Sequence, residues 1–131
     1  MIRRVLLALL LCPLLASAEP GLYSPNCRQG ETFVRVLTWR DSGGSLVNLT
    51  GYSAKLQLRD TVTHAVVDSW TESDGLTLGG SAGTITWTIS ATETAALAAG
   101  SHAYDLRLTS GGGTVTYLLY GYLNVTARVT Q

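Results

Sequence analysis

From Thr32 onward, apolar positions recur at every second residue, the period of a pleated strand with one face in a core and the other in water. The sharpest instance is Thr84 to Ile89, where Ile85, Trp87 and Ile89 share one face and Thr84, Thr86 and Thr88 the other. A slip of one residue would put two isoleucines and a tryptophan in water, so the register is firmly specified. Tyr52 to Arg59 sets Ala54, Leu56 and Leu58 against Ser53, Lys55, Gln57 and Arg59, and His102 to Leu108 sets Tyr104, Leu106 and Leu108 against Asp105 and Arg107. Thr114 to Val129 places Val115, Tyr117, Leu119, Leu123, Val125, Ala127 and Val129 inward, with Gly121 midway as a bulge or bend where the chain can change sheet. Trp39, Trp87, Tyr104 and Tyr117 are therefore assigned to the core, while Tyr120 and Tyr122 fall out of phase and face the other side. Thr32 to Trp39 is less regular, because Arg35 is in phase with Phe33, Leu37 and Trp39. That pattern suits an edge strand whose guanidinium snorkels to water.

Turn residues punctuate these runs at Asp41-Ser42-Gly43-Gly44, Ser73-Asp74-Gly75, Gly79 to Gly83 and Ser110 to Gly113. One short helix is expected: Ser90 and Glu93 form a capping box, Ala91 to Ala99 is rich in helix formers, and Gly100 can stop it in a left-handed conformation. With Ala65 to Trp70 and Leu76 to Leu78 added, the count is seven or eight short strands, the last stretch being two strands or one long bent one. The economical architecture is all-β: an immunoglobulin-like two-sheet antiparallel sandwich with one short connecting helix, a small barrel being the alternative. The sandwich domain spans 32–131. Residues 19–31, which include Pro20 and Pro25, read as an irregular N-terminal arm.

The first 18 residues have a different pattern. Arg3 and Arg4 precede an apolar run from Val5 to Leu15, broken only by Pro13, and Ala16-Ser17-Ala18 fits signal peptidase. The run is too short for a membrane span, which takes about 20 apolar residues, so no transmembrane span is expected in the mature chain. Cys12 follows Leu11, which is too large for a lipoprotein site. Cleavage after Ala18 makes Cys27 the only cysteine of the product, so no disulfide within the chain can form.

Composition then removes whole classes of activity. Nine basic residues balance nine acidic ones, so there is no positive field to gather a nucleic acid. The 46% hydrophobic and 14% charged content fits one globular domain. Titratable groups are few. Ser101, His102 and Asp105 do not make a triad, because His102 and Asp105 fall on opposite faces of one strand. His64 and His102 are read as exposed strand-end residues, too few and too isolated to hold zinc. Cys27 has no histidine nearby in sequence and reads as a buried or half-buried thiol. Ser110 to Gly113 lacks the following helix and lysine of a phosphate loop, so a hairpin is expected. Asn48-Leu49-Thr50 and Asn124-Val125-Thr126 match glycosylation acceptors, which mean something only in a eukaryotic secretory pathway. No catalytic, metal-binding or cofactor-binding residue is assigned, no cofactor or small-molecule substrate is expected, and no binding residue is fixed. An exposed Tyr120 and Tyr122 pair suits a sugar, a protein edge or a neighbouring subunit.

The order Gln29-Gly30-Glu31-Thr32-Phe33, Leu37-Thr38-Trp39-Arg40-Asp41 and Val47-Asn48-Leu49-Thr50-Gly51-Tyr52 resembles a family of small bacteriophage and prophage virion proteins. Gly75-Leu76-Thr77-Leu78, Gly83-Thr84-Ile85-Thr86, Tyr104-Asp105-Leu106 and Gly113-Thr114-Val115-Thr116 continue the same order, so the resemblance covers roughly residues 28–131. It extends to the immunoglobulin-like N-terminal module of phage upper baseplate proteins. What it implies is a non-catalytic structural protein of a tail, baseplate or neck that contacts other virion proteins or copies of itself. The alternative is an exported bacterial β-sandwich that binds a carbohydrate or protein. Localisation follows the leader: virion, or bacterial cytoplasm during assembly, if the start is placed too far upstream; periplasmic or secreted if cleavage follows Ala18.

Overall fold

The computed structural model describes residues 21–130; the leader, Cys12 and the first two arm residues, Glu19 and Pro20, lie outside the described residues. Among the described residues nine strands form: β1 (Gly21–Leu22), β2 (Asn26–Arg28), β3 (Phe33–Thr38), β4 (Ser53–Asp60), β5 (Val66–Thr71), β6 (Leu76–Leu78), β7 (Thr84–Ile89), β8 (Gly100–Thr109) and β9 (Val115–Thr126). Helix α1 (Ala91–Ala96) joins β7 to β8. Strands β9, β8, β4 and β5 neighbour one another in that order, with β1 and β2 on the other side of β9, while β3, β7 and β6 make a second sheet. Consecutive strands are thus divided between the sheets as in a variable-type immunoglobulin domain. The chain is an all-β, immunoglobulin-like sandwich.

Alternation builds its core. Ile85, Trp87 and Ile89 of β7 and Phe33 of β3 face Leu56 and Leu58 of β4 and Leu106 and Leu108 of β8, all buried. The Trp87 ring is packed by Phe33 at 4.9 Å, Tyr104 at 5.2 Å and Trp70 at 5.5 Å between ring centroids. As expected, β3 lies at an edge of its sheet. Arg35 there lays its guanidinium 4.5 Å from the Phe33 ring centroid and donates to the carbonyls of Val34 and Asn26, so its charge reaches water without entering the core.

The capping box forms as read: Ser90 Oγ accepts from the Glu93 N–H, and the Glu93 carboxylate accepts from the Ser90 N–H. The helix is shorter than Ala91 to Ala99, however. It ends at Ala96 with Leu97 as the capping residue, and Gly100 opens β8 instead of stopping the helix. The corner between them is held by His102, whose Nε2–H donates to the Ala98 carbonyl at 2.7 Å. In many immunoglobulin-like domains a tyrosine hydroxyl pins the same corner from the same place. His102 is therefore buried, which corrects its reading as an exposed strand-end residue.

Three further expectations are corrected. The arm is not irregular over its described part, since β1 and β2 pair in parallel with β9, so the sandwich is not wholly antiparallel. Gly121 does not mark a change of sheet, because β9 runs unbroken past it. The glycine serves close approach: a Cβ there would collide with the Tyr23 carbonyl, and the Tyr104 hydroxyl donates to that same oxygen. Finally, Val115 and Tyr117 point outward. A bulge between Tyr117 and Leu119 shifts the phase, so Leu118 joins Leu119 against the core, and of the residues expected inward Leu119, Leu123 and Val125 keep their places. Beyond the end of β9, Ala127 and Val129 are exposed. Trp39 flanks the core, partly buried, its ring edge-on to Tyr52 at 6.0 Å.

Candidate functional site

The outward residues of β9, β8, β4 and β5 fall into rows, because residues directly opposite in an antiparallel pair share a face. Tyr117, Arg107, Lys55 and Thr71 make the first row. Tyr120, Asp105, Gln57 and Ser69 make the second, and Tyr122, Ala103, Arg59 and Val66 the third. One column is thus aromatic, and the two beside it carry three cations and one carboxylate. Tyr117, Tyr120 and Tyr122 are 46%, 47% and 48% exposed. Beside small Ala103 lies a hollow of about 440 Å³, lined by Tyr117 and Asp105 and by the long side chains of Lys55, Gln57, Arg59 and Arg107.

The bulge that corrected the core assignment is what completes this face. Without it Tyr117 would share the side of Leu119; with it, three tyrosines line up on one strand. Each ring offers apolar area and a hydroxyl that stays wet, a combination favoured at contact surfaces. Arg59 is held in place, donating to the His64 carbonyl and to Gln57 Oε1, both at 2.9 Å.

Reactive groups do not converge. Ser101 and Asp105 are exposed while His102 is buried on the opposite side of β8, so these three are not brought together. No group of three or more His, Cys, Asp or Glu that could hold a metal comes together among the described residues. Cys27 is buried, and burial, followed by the nearby Glu31 charge, pushes its thiol pKa up, away from the nucleophilic thiolate. The Tyr104 hydroxyl is likewise pushed well above the usual range by burial. Ser110 to Gly113 forms a tight hairpin turn, with the Gly113 N–H donating to the Ser110 carbonyl. Asn124 spends its amide within the fold, accepting from Ser101 Oγ and donating to Asn26 Oδ1. Asn48 caps its own turn by accepting from the Thr50 N–H.

No family model matches the chain, and no curated protein matches it. Among solved structures it is similar to CopC from Methylosinus trichosporium OB3b, at 16% identity and a TM-score of 0.44, over 87% of this chain and 90% of that one. A chain from work on cell-adhesive interactions of VGSC beta subunits is similar at 13% identity and a TM-score of 0.45, over 86% and 98% of the two chains. Extracellular domains 3–5 of Drosophila OTK are similar at 14% identity and a TM-score of 0.40, over 89% of this chain and 39% of that one. The likeness is one of outline, and the assignment of the fold rests on the strand pairing itself. No helix among the described residues is long and apolar enough to cross a membrane.

Proposed function

We propose that the chain is a non-catalytic contact module that holds a protein partner on the outer face of the sheet formed by β9, β8, β4 and β5. The observation that carries this reading is the alignment of Tyr117, Tyr120 and Tyr122 beside Arg107, Lys55 and Arg59 on one exposed face. Aromatic and arginine side chains are the types that dominate binding energy at protein interfaces. The setting that fits best is an exported module, supported by the Arg3-Arg4, Val5 to Leu15 and Ala16-Ser17-Ala18 pattern. A second setting, a phage or prophage particle, is supported by the motif order over residues 28–131.

The experiment is size-exclusion chromatography of the protein made from its native gene in its native cells, with the intact mass of the product. The native chain is expected in an assembly larger than itself. The Tyr120→Ala/Tyr122→Ala chain is expected alone, with stability changed by no more than about 0.5 kcal/mol per site, as for surface substitutions. A double variant that stays in the assembly contradicts the contact-face reading, and a hydrolytic activity of the purified protein contradicts the non-catalytic one. A product beginning at Glu19 supports export; an uncleaved, shorter product in a cytoplasmic particle supports the virion setting.

A further inference from the structure

Lys55 and Arg107 are register partners on neighbouring antiparallel strands, so two like charges oppose each other directly, an arrangement that weakens a sheet. Neither side chain forms a hydrogen bond or an ion pair within 4.0 Å among the described residues. Arg59, by contrast, is oriented by two hydrogen bonds and sits four residues further along β4. Resting on the contact-face reading above, we propose that this face takes an extended acidic segment of a protein partner, one carboxylate between Lys55 and Arg107 and a second at Arg59.

Strand geometry sets the spacing. Four residues of a strand span about 13–14 Å, so an extended ligand places acids at positions i and i+4 to meet both cationic points. Position i+2 then lies over Gln57 and Asp105, which pair with a donor such as an amide and repel a third acid. That central carboxylate favours a peptide, whose charges can alternate, over a uniformly anionic polymer such as a sulfated polysaccharide. The tyrosine column runs alongside the track on β9, and the hollow lined by Ala103 and Tyr117 gives the segment depth.

The test is fluorescence anisotropy at low ionic strength with labelled peptides. One carries three repeats of Glu-Thr-Gln-Thr; the other has the same composition with its three glutamates consecutive; a sulfated oligosaccharide is the third probe. The spaced peptide is expected to bind at least fivefold more tightly than the scrambled one. Arg107→Gln and Lys55→Gln are each expected to weaken it about tenfold while leaving the Tm unchanged or raised, since the opposed like charges are gone. A merely structural pair of cations would not combine lost binding with an unchanged or higher Tm. Equal affinity for the two peptides, or tighter binding of the oligosaccharide that depends on the same two residues, overturns the proposal. Failure of both peptides to bind, while Tyr120→Ala/Tyr122→Ala still releases the native assembly, overturns the acidic-segment inference alone. Retention of the assembly by that double variant removes the contact face itself.

Discussion

Trp87→Ala is expected to lower the free energy of unfolding by about 3 to 5 kcal/mol in urea melts, the usual cost of truncating a buried tryptophan. The side chain is 0% exposed and is wedged among Phe33 and Tyr104, with Trp70 reaching it from β5. Removing it leaves a cavity bordered by both sheets, which neither can collapse to fill without breaking its own ladder. Domains of this size are stable by about 5–15 kcal/mol, so the variant would be close to unfolding at ordinary temperature. Because its indole N–H has no hydrogen-bond partner, the loss is one of packing, and Trp87→Phe should recover much of it. Tyr117→Ala is the contrasting control: the simple alternation put both residues in the core, yet Tyr117 is about half exposed and should cost no more than about 0.5 kcal/mol. A loss below 1 kcal/mol for Trp87→Ala would place its face outside the core.

Gly121→Ala is expected to detach the arm. The new methyl collides with the backbone of Tyr23, which cannot be relieved by a rotamer change. Moving that backbone away breaks the Tyr23 N–H bond to the Tyr120 carbonyl and the Asn124 N–H bond to the Pro25 carbonyl, both at 3.0 Å. It also strands the buried Tyr104 hydroxyl, which donates to the Tyr23 carbonyl. An unpaired buried polar group costs about 1–3 kcal/mol, and with the ladder bonds the total should be about 3 kcal/mol or more. Urea melts read the loss, and hydrogen exchange at the amides of Tyr23 and Asn124 localises it. Retained protection at both amides would mean that the arm tolerates the methyl and that Gly121 is not its seat.

What the sequence disclosed depends on how local the deciding contact is. Strands β4, β7 and the inward side of β8 were legible because their alternation is unbroken over six or more residues. The first half of β9 was not, because one bulge reverses its phase without any glycine or proline to mark it. His102 looked like a strand end because its partner, the Ala98 carbonyl, is set by the corner that follows α1. The arm looked irregular because its pairing is with β9, almost the whole chain away, and Gly121 gains its meaning only from that distant contact. The same holds for the candidate site. Tyr120 and Tyr122 were visible from phase alone, whereas the convergence of Lys55, Arg59 and Arg107 depends on the pairing of β4 with β8, which no local pattern reveals.

Whether the chain meets its partner on this tyrosine-and-cation face can be read from a photo-crosslinking amino acid placed at position 120 or at position 36 in the native cells. Val36 is exposed on the opposite sheet, so it controls for chance encounters. A discrete crosslinked product is expected from position 120 and none from position 36. Crosslinks from position 36 alone, or equally from both, would contradict the contact-face reading.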